Sequence, residues 1–306
     1  MHLRRTDITM EERPIAAGSF KSVFKGSIRV TLRDGASKKV EVAVLKVRKG
    51  DIATEAKMLL RIGRHPRIVR FIGQCLDGED QLLITEFAPL GSLSDAFETL
   101  GHRITLPHSV VIMQQIAQAM EHLISQEIFH RDLAARNVLV FAFDEHNVFK
   151  TSVKLSDYGL AVGSYNCSHV THASGDRPIR YMPPEGLKKG RFSEKSDVWA
   201  FGVLCWEVLT RGDIPYFEIT DDSKLITHVC GGGRLVLEGD RCPDALWVLI
   251  NSCWCESPEK RPTFSELFMR LSSMSPQIAM HPIEALTLTL TLTLTHTLTL
   301  IHLRNQ

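Results

Sequence analysis

HRDLAARN, residues 130–137, is the stretch on which the reading of this chain turns. Before it lies HSVVIMQQIAQAMEHLISQ at 108–126, whose apolar residues recur at helical spacing over a length that suits a helix. After it come two short apolar segments, NVLVFAF at 137–143 and SVKLSDYG at 152–159, which read as a strand pair around a polar turn.

Outward from this loop the chain divides in two. Residues 15–86 read as mostly β: VFKGSIRV at 23–30 and KVEVAVLKV at 39–47 alternate around a turn near Asp34 and Gly35, and QLLITEFA at 81–88 is a further strand. ATEAKMLLRIG at 53–63 reads as a short helix between them. Beyond Pro89 the pattern becomes helical. DVWAFGVLCWEVLT at 197–210 is apolar nearly all round, so it is expected to be a buried helix. DALWVLINSCW at 244–254 and TFSELFMRLSSM at 263–274 complete the helical part.

Composition excludes several classes. The 306 residues carry 36 Lys+Arg against 35 Asp+Glu, a balance that argues against a dedicated nucleic-acid binder. No apolar run approaches the roughly 20 residues of a membrane helix. MHLRRTDITM at the start has no apolar stretch after its basic residues, so no signal peptide is expected. The 7 scattered cysteines read as buried small hydrophobes in a reducing compartment. Between Leu286 and Leu300, Thr and Leu alternate except at His296. A two-residue repeat is what a six-nucleotide repeat encodes, so this tract reads as a repetitive genomic stretch carried into the gene model, or as a tail without function.

HRDLAARN, with SDYGL at 156–160 and PPEGL at 183–187, resembles the protein kinase signature set, and the receptor-type tyrosine kinases in particular. The resemblance covers residues 8–272 and implies an α+β, two-lobed fold. The small β-rich lobe would run over about 8–86, the hinge over about 86–91 and the helical lobe over about 92–272, with 273–306 as a tail. It implies phosphoryl transfer from ATP with Mg2+, chemistry that depends on positioning and charge neutralisation. Asp132 would orient the acceptor hydroxyl and take its proton, and Asn137 and Asp157 would hold the metal. Ala134 stands where serine/threonine kinases usually carry lysine, and Ala134-Ala135-Arg136 matches the tyrosine kinases. Arg136 would stabilise the transferring group. Pro178 stands where tyrosine kinases place a proline beneath the acceptor tyrosine. The implied partner is a protein presenting tyrosine, and the implied location is the cytoplasm, alone or as part of a longer receptor-like protein. Dual or serine/threonine specificity, and a scaffold that binds nucleotide without transfer, are the alternatives.

The nucleotide side is less regular. Of the family's GxGxxGxV, AAGSFKSV at 16–23 keeps Gly18 and Val23, with Ala16 and Lys21 in place of glycines. In VAVLK at 42–46, strand alternation puts Val44 and Lys46 on one face. On that register the resemblance implies that Lys46 would be the phosphate-binding lysine, Val44 would lie over the adenine and Glu55 would pair with Lys46. GSFKSV also resembles the loop of the with-no-lysine kinases, which makes Lys21 the alternative to Lys46. Thr85 would be the gatekeeper, the backbone of Glu86 and Ala88 would meet the adenine edge, and Leu139 would form the pocket floor. Asp197 would hold the catalytic loop, Glu185 would pair with Arg261, and Tyr165 is the candidate for regulatory phosphorylation.

Overall fold

A computed structural model describes residues 2–17, 21–31, 36–47, 52–77, 81–163, 178–239 and 241–279. The turn near Asp34 and Gly35, Tyr165 and the Thr-Leu tract lie outside the described residues. The N-terminal lobe is a sheet of β1 (Ile8–Met10), β2 (Ala16–Ala17), β3 (Lys21–Thr31), β4 (Ser37–Val47), β5 (Phe71–Cys75) and β6 (Leu82–Glu86). Its order is β1-β3-β4-β6-β5, with β2 paired to β3 and every pairing antiparallel. Helix α1 (Ile52–Ile62) sits between β4 and β5 in the chain. It exists because Ile52, Ala56, Leu59 and Ile62 form one buried stripe at helical spacing.

The sheet has two apolar faces, and their separation decides the site. Val42 and Val44 join Ile8, Ile28, Cys75, Leu82 and Ile84 in a cluster on the outer face. Leu45 and Val47 pack instead into the main core, which contains Ile52, Ala56, Leu59 and Leu83.

The C-terminal lobe comprises α2 (Leu93–Leu100), α3 (Leu106–Ser125), β7 (Ile128–Phe129), β8 (Val138–Ala142), β9 (Ser152–Leu155), β10 (Val162–Gly163), α4 (Pro184–Lys189), α5 (Glu194–Thr210), α6 (Asp222–Cys230), α7 (Asp244–Ser252) and α8 (Phe264–Ala279). Helix α5 is buried from Ser196 to Leu209, as its all-round apolar sequence requires. It begins at Glu194 because the Ser193 hydroxyl accepts a hydrogen bond from the Lys195 amide. Gly202 lets α5 lie against the turn that follows α7: a Cβ there would sit 2.6 Å from Trp254 Nε1. No helix among the described residues is long and apolar enough to cross a membrane.

Arg261 locks the lower part of this lobe. Its guanidinium donates to both Glu185 carboxylate oxygens at 2.6 and 2.9 Å, and to Lys195 O and Cys255 O, each at 2.8 Å. Arg261 is 2% exposed and the Glu185 side chain 19%, so removing the guanidinium leaves a largely shielded carboxylate without its partner. We expect Arg261→Met to cost about 3–5 kcal/mol of stability. A thermal melt within a degree of the parent would contradict this.

Candidate active site

Residues 130–137 are held from beneath by α5. The Asp197 carboxylate accepts hydrogen bonds from the His130 and Arg131 amides, both at 2.8 Å. Both amides point inward because Arg131 adopts φ +67°, a left-handed conformation that costs a residue with a Cβ and persists only where its surroundings impose it. The His130 ring is fully buried, bridging Ser156 O at 3.0 Å and the Asp132 amide at 3.3 Å. It is therefore a packing and hydrogen-bonding residue. Asp132 rises from this base, paired with Arg136 through one oxygen and accepting from Asn137 Nδ2 at 2.8 Å through the other. Asn137 Nδ2 also donates to Asp132 O at 2.7 Å.

The segment carrying Asp157 is tied to the same loop. Ser156 donates twice to Asn137 O, from its amide at 2.9 Å and its hydroxyl at 2.8 Å. Asp157 follows with φ +58°. Tyr158 is buried edge-on against His130, with ring centroids 5.4 Å apart. Its hydroxyl donates to Leu155 O at 2.9 Å, so the buried phenol leaves no unsatisfied group.

Lys21 closes the site from above. Its ammonium lies 3.1 Å from Glu55 Oε1 and 2.8 Å from Asp157 Oδ1, joining β3, α1 and the Asp157 segment across the two lobes. All three side chains are largely shielded, at 17%, 16% and 35% exposure. Burial penalises the ammonium, but the carboxylates of Asp157 and Glu55 outweigh it and raise the lysine above its ordinary value. Burial likewise opposes ionisation of Asp157, and the charge of Lys21 with its hydrogen bond overcomes it, so the carboxyl titrates below its ordinary range.

Lys46 is not brought to this position, which corrects the sequence register. In the sheet Lys25 pairs with Ala43, Val23 with Leu45 and Lys21 with Val47. Residues two apart share a face, so Lys21 and Val23 lie on the face of Ala43, Leu45 and Val47. Lys46 falls on the other face, with Val42 and Val44. Against the Val-Ala-Ile-Lys strand of the kinases that the sequence resembles, the match is thus Val42-Ala43-Val44-Leu45 without offset, and Leu45 stands at the lysine position. Val44, fully buried in the outer cluster, cannot cover an adenine. Ala43, paired with Thr85, lies on the inner face instead.

The sequence also assigns Thr85, Glu86, Ala88, Leu139, Ala16 and Gly18 to the nucleotide side. Thr85 is 8% exposed on the inner face of β6. The Glu86 amide is bonded to Arg70 O at 3.0 Å, and its carbonyl accepts from the Thr85 hydroxyl at 3.4 Å. The Glu86 side chain takes no part in the cleft: its carboxylate pairs with Lys154 Nζ at 2.6 and 2.7 Å, a link sequence reading missed. Ala88 is 8% exposed and its carbonyl accepts from the Gly91 amide at 3.3 Å. Leu139 is half-buried between Val138 and Val140, which face the core, so alternation turns it toward the cleft. Ala16 in β2 pairs with Val23 in β3, and Gly18 lies outside the described residues.

Asn137 and Asp157 suit magnesium. The Asn137 amide nitrogen is committed to Asp132, and Asp157 Oδ2 makes no hydrogen bond among the described residues. One carboxylate and one amide oxygen, completed by substrate phosphates and water, is a donor set this ion accepts.

The Lys21–Asp157 pair also gives a pH signature. The contribution of Asp157 is present above its unfolded value and is lost as pH falls through its lowered folded value. That of Lys21 is present below the ordinary lysine value and is lost as pH rises through the raised one. The pair therefore holds through the neutral range. Lys21→Met should lower the melting temperature at neutral pH, and the gap from the parent should shrink below about pH 4. A gap of unchanged size in melts at pH 3 would contradict the pairing.

Known proteins resemble this chain over most of its length. A family model described as protein tyrosine and serine/threonine kinase matches residues 9–271. The chain is 37% identical to inactive tyrosine-protein kinase 7 of Gallus gallus, over 71% of this chain and 21% of that protein. It is 35% identical to proto-oncogene tyrosine-protein kinase ROS of Mus musculus, over 83% of this chain and 11% of that protein. It is also 35% identical to tyrosine-protein kinase HTK16 of Hydra vulgaris, over 85% of this chain and 34% of that protein.

Proposed function

The chain belongs to the protein tyrosine and serine/threonine kinase family, and from that premise we propose that it transfers the γ-phosphoryl of ATP to protein tyrosine hydroxyls, with Lys21 as its phosphate-binding lysine. The observation that carries the reading is the ammonium of Lys21 held between Glu55 and Asp157. A leucine at position 45 would otherwise leave the site without its phosphate cation.

Each residue then has a task. Lys21, steadied by Glu55, turns from Asp157 to the phosphates when nucleotide enters. Asn137 and Asp157 would hold Mg2+, which when bound would supply charge neutralisation at the phosphates. Asp132 aligns the acceptor phenol and receives its proton, and Arg136 beside it offers donors to the transferring group. Ala43, Thr85 and Leu139 enclose the base, with Glu86 and Ala88 at its edge. Tyrosine preference rests on Ala134, Arg136 and Pro178, and on the tyrosine kinases among the relatives. The free thiols of Cys75, Cys205, Cys230, Cys242, Cys253 and Cys255 support a cytoplasmic location. We assign residues 8–272 to the catalytic domain, with α8 extending to Ala279.

The scaffold reading has its own support: the glycine loop lacks two glycines, and relatives from three species are named inactive. Labelled ATP with magnesium, offered alongside a Glu-Tyr copolymer and a serine/threonine substrate, separates the readings. Label on the copolymer is expected. ATP that raises the melting temperature without any label transfer would establish the scaffold instead.

A further inference from the structure

The turn that precedes α4 and the catalytic loop are joined by a single carboxylate. Tyr181 ends the turn Ile179–Tyr181, and its amide is bonded to Pro178 O at 2.8 Å. Its hydroxyl donates to Glu207 Oε1 at 2.8 Å. The other oxygen of Glu207 accepts the Ala135 amide at 3.0 Å. Arg136, the next residue, lays its guanidinium 5.2 Å from the centroid of the Tyr181 ring and pairs with Asp132. Glu207 belongs to α5 and is 7% exposed. The turn is fixed on its far side too, where Arg180 donates to Pro215 O, Tyr216 O and Ile219 O at 2.7, 2.8 and 3.0 Å.

We propose that Tyr181 and Glu207 are positioning residues that set the distance between the acceptor-supporting turn and the Asp132–Arg136 pair. The inference rests on the kinase reading above and extends it to residues that touch neither nucleotide nor acceptor. The chemistry of the two groups favours this role over simple filling. A phenylalanine would occupy the same ring volume against Arg136, so the hydroxyl serves only the link. A buried carboxylate is costly unless both oxygens are satisfied, and here each is satisfied by a different loop. The link therefore transmits position: moving the turn moves Glu207, the Ala135 amide and the side chain that follows it. Two elements far apart in sequence are held in register where an acceptor held on the turn must meet Asp132.

Tyr181→Phe, Glu207→Gln and their combination test this. In Tyr181→Phe the kcat on the Glu-Tyr copolymer should fall about 10-fold, the loss that small misplacement of reacting groups brings. The KM for ATP and the rise in melting temperature on adding ATP should stay as in the parent. Amide hydrogen exchange over 133–137 should quicken in both single variants. The combined variant should be no slower than Glu207→Gln alone, because both act through one link. Parent-level kcat in Tyr181→Phe, multiplying losses in the combined variant, or unchanged exchange over 133–137 would each overturn the proposal. A parent without any transfer would overturn the kinase reading, and the exchange comparison would still decide the link.

Discussion

Lys21→Met is expected to lower phosphoryl transfer by about two orders of magnitude or more, the scale lost when one preorganised charge is removed from a reacting anion. Lys46→Met should stay within a few-fold of the parent. The contrast follows from strand parity: Lys21 shares its face with Val23 and Leu45, and Lys46 lies on the opposite one. The same geometry predicts a rescue. Leu45 stands on the face of the sheet packed toward α1, from which a lysine would reach toward Glu55. Leu45→Lys should therefore restore a large part of the activity lost in Lys21→Met. Turnover with the copolymer, measured in all four proteins, checks it. Greater damage from Lys46→Met than from Lys21→Met would return the role to β4.

Asp132→Asn should abolish transfer, by about 10²–10⁴-fold on the general-base contribution alone, while nucleotide binding stays near that of the parent. Asparagine is almost isosteric and can still accept from Asn137, but it takes no proton and loses the charge that holds Arg136. Asp132 makes no bond to Lys21, Glu55 or Thr85, so the nucleotide side should be undisturbed. Turnover and the melting shift with ATP are read on the same sample. Normal turnover would overturn the assignment, and loss of the ATP shift would show that the residue serves binding instead.

Much of this was legible in the residues. The catalytic loop and the buried α5 carry their identity in local sequence, because the chemistry needs those side chains at fixed spacing and a helix buried all round needs apolar residues all round. The ties from Asp197 to the loop and from Glu185 to Arg261 followed from the same resemblance, and the structure places both. The register of β4 was not legible in the same way. Val42, Ala43, Val44 and Leu45 are all apolar, so the sequence does not mark which face is inner. A nearby lysine drew the register off by one, and one position turns a strand residue to the other face. The pairing of Ala43 with Thr85 and the packing of Leu45 toward α1 settle it. The unshifted four-residue match, with lysine replaced by leucine, was the available signal. Helices α2 and α6 and strand β5 went unread. Each is short and its apolar residues are completed by distant partners, as where Leu225 and Val229 of α6 meet the main core. The Tyr181–Glu207 link escaped because it joins positions 26 residues apart whose separate types are unremarkable.

The most direct test of the account is phosphoamino-acid identification after reaction of the parent and Lys21→Met with labelled ATP, magnesium and a mixture of tyrosine- and serine/threonine-bearing substrates. The account predicts phosphotyrosine from the parent and almost none from the variant. Phosphotyrosine at equal levels in both, phosphoserine or phosphothreonine in its place, or no transferred label from the parent would contradict it.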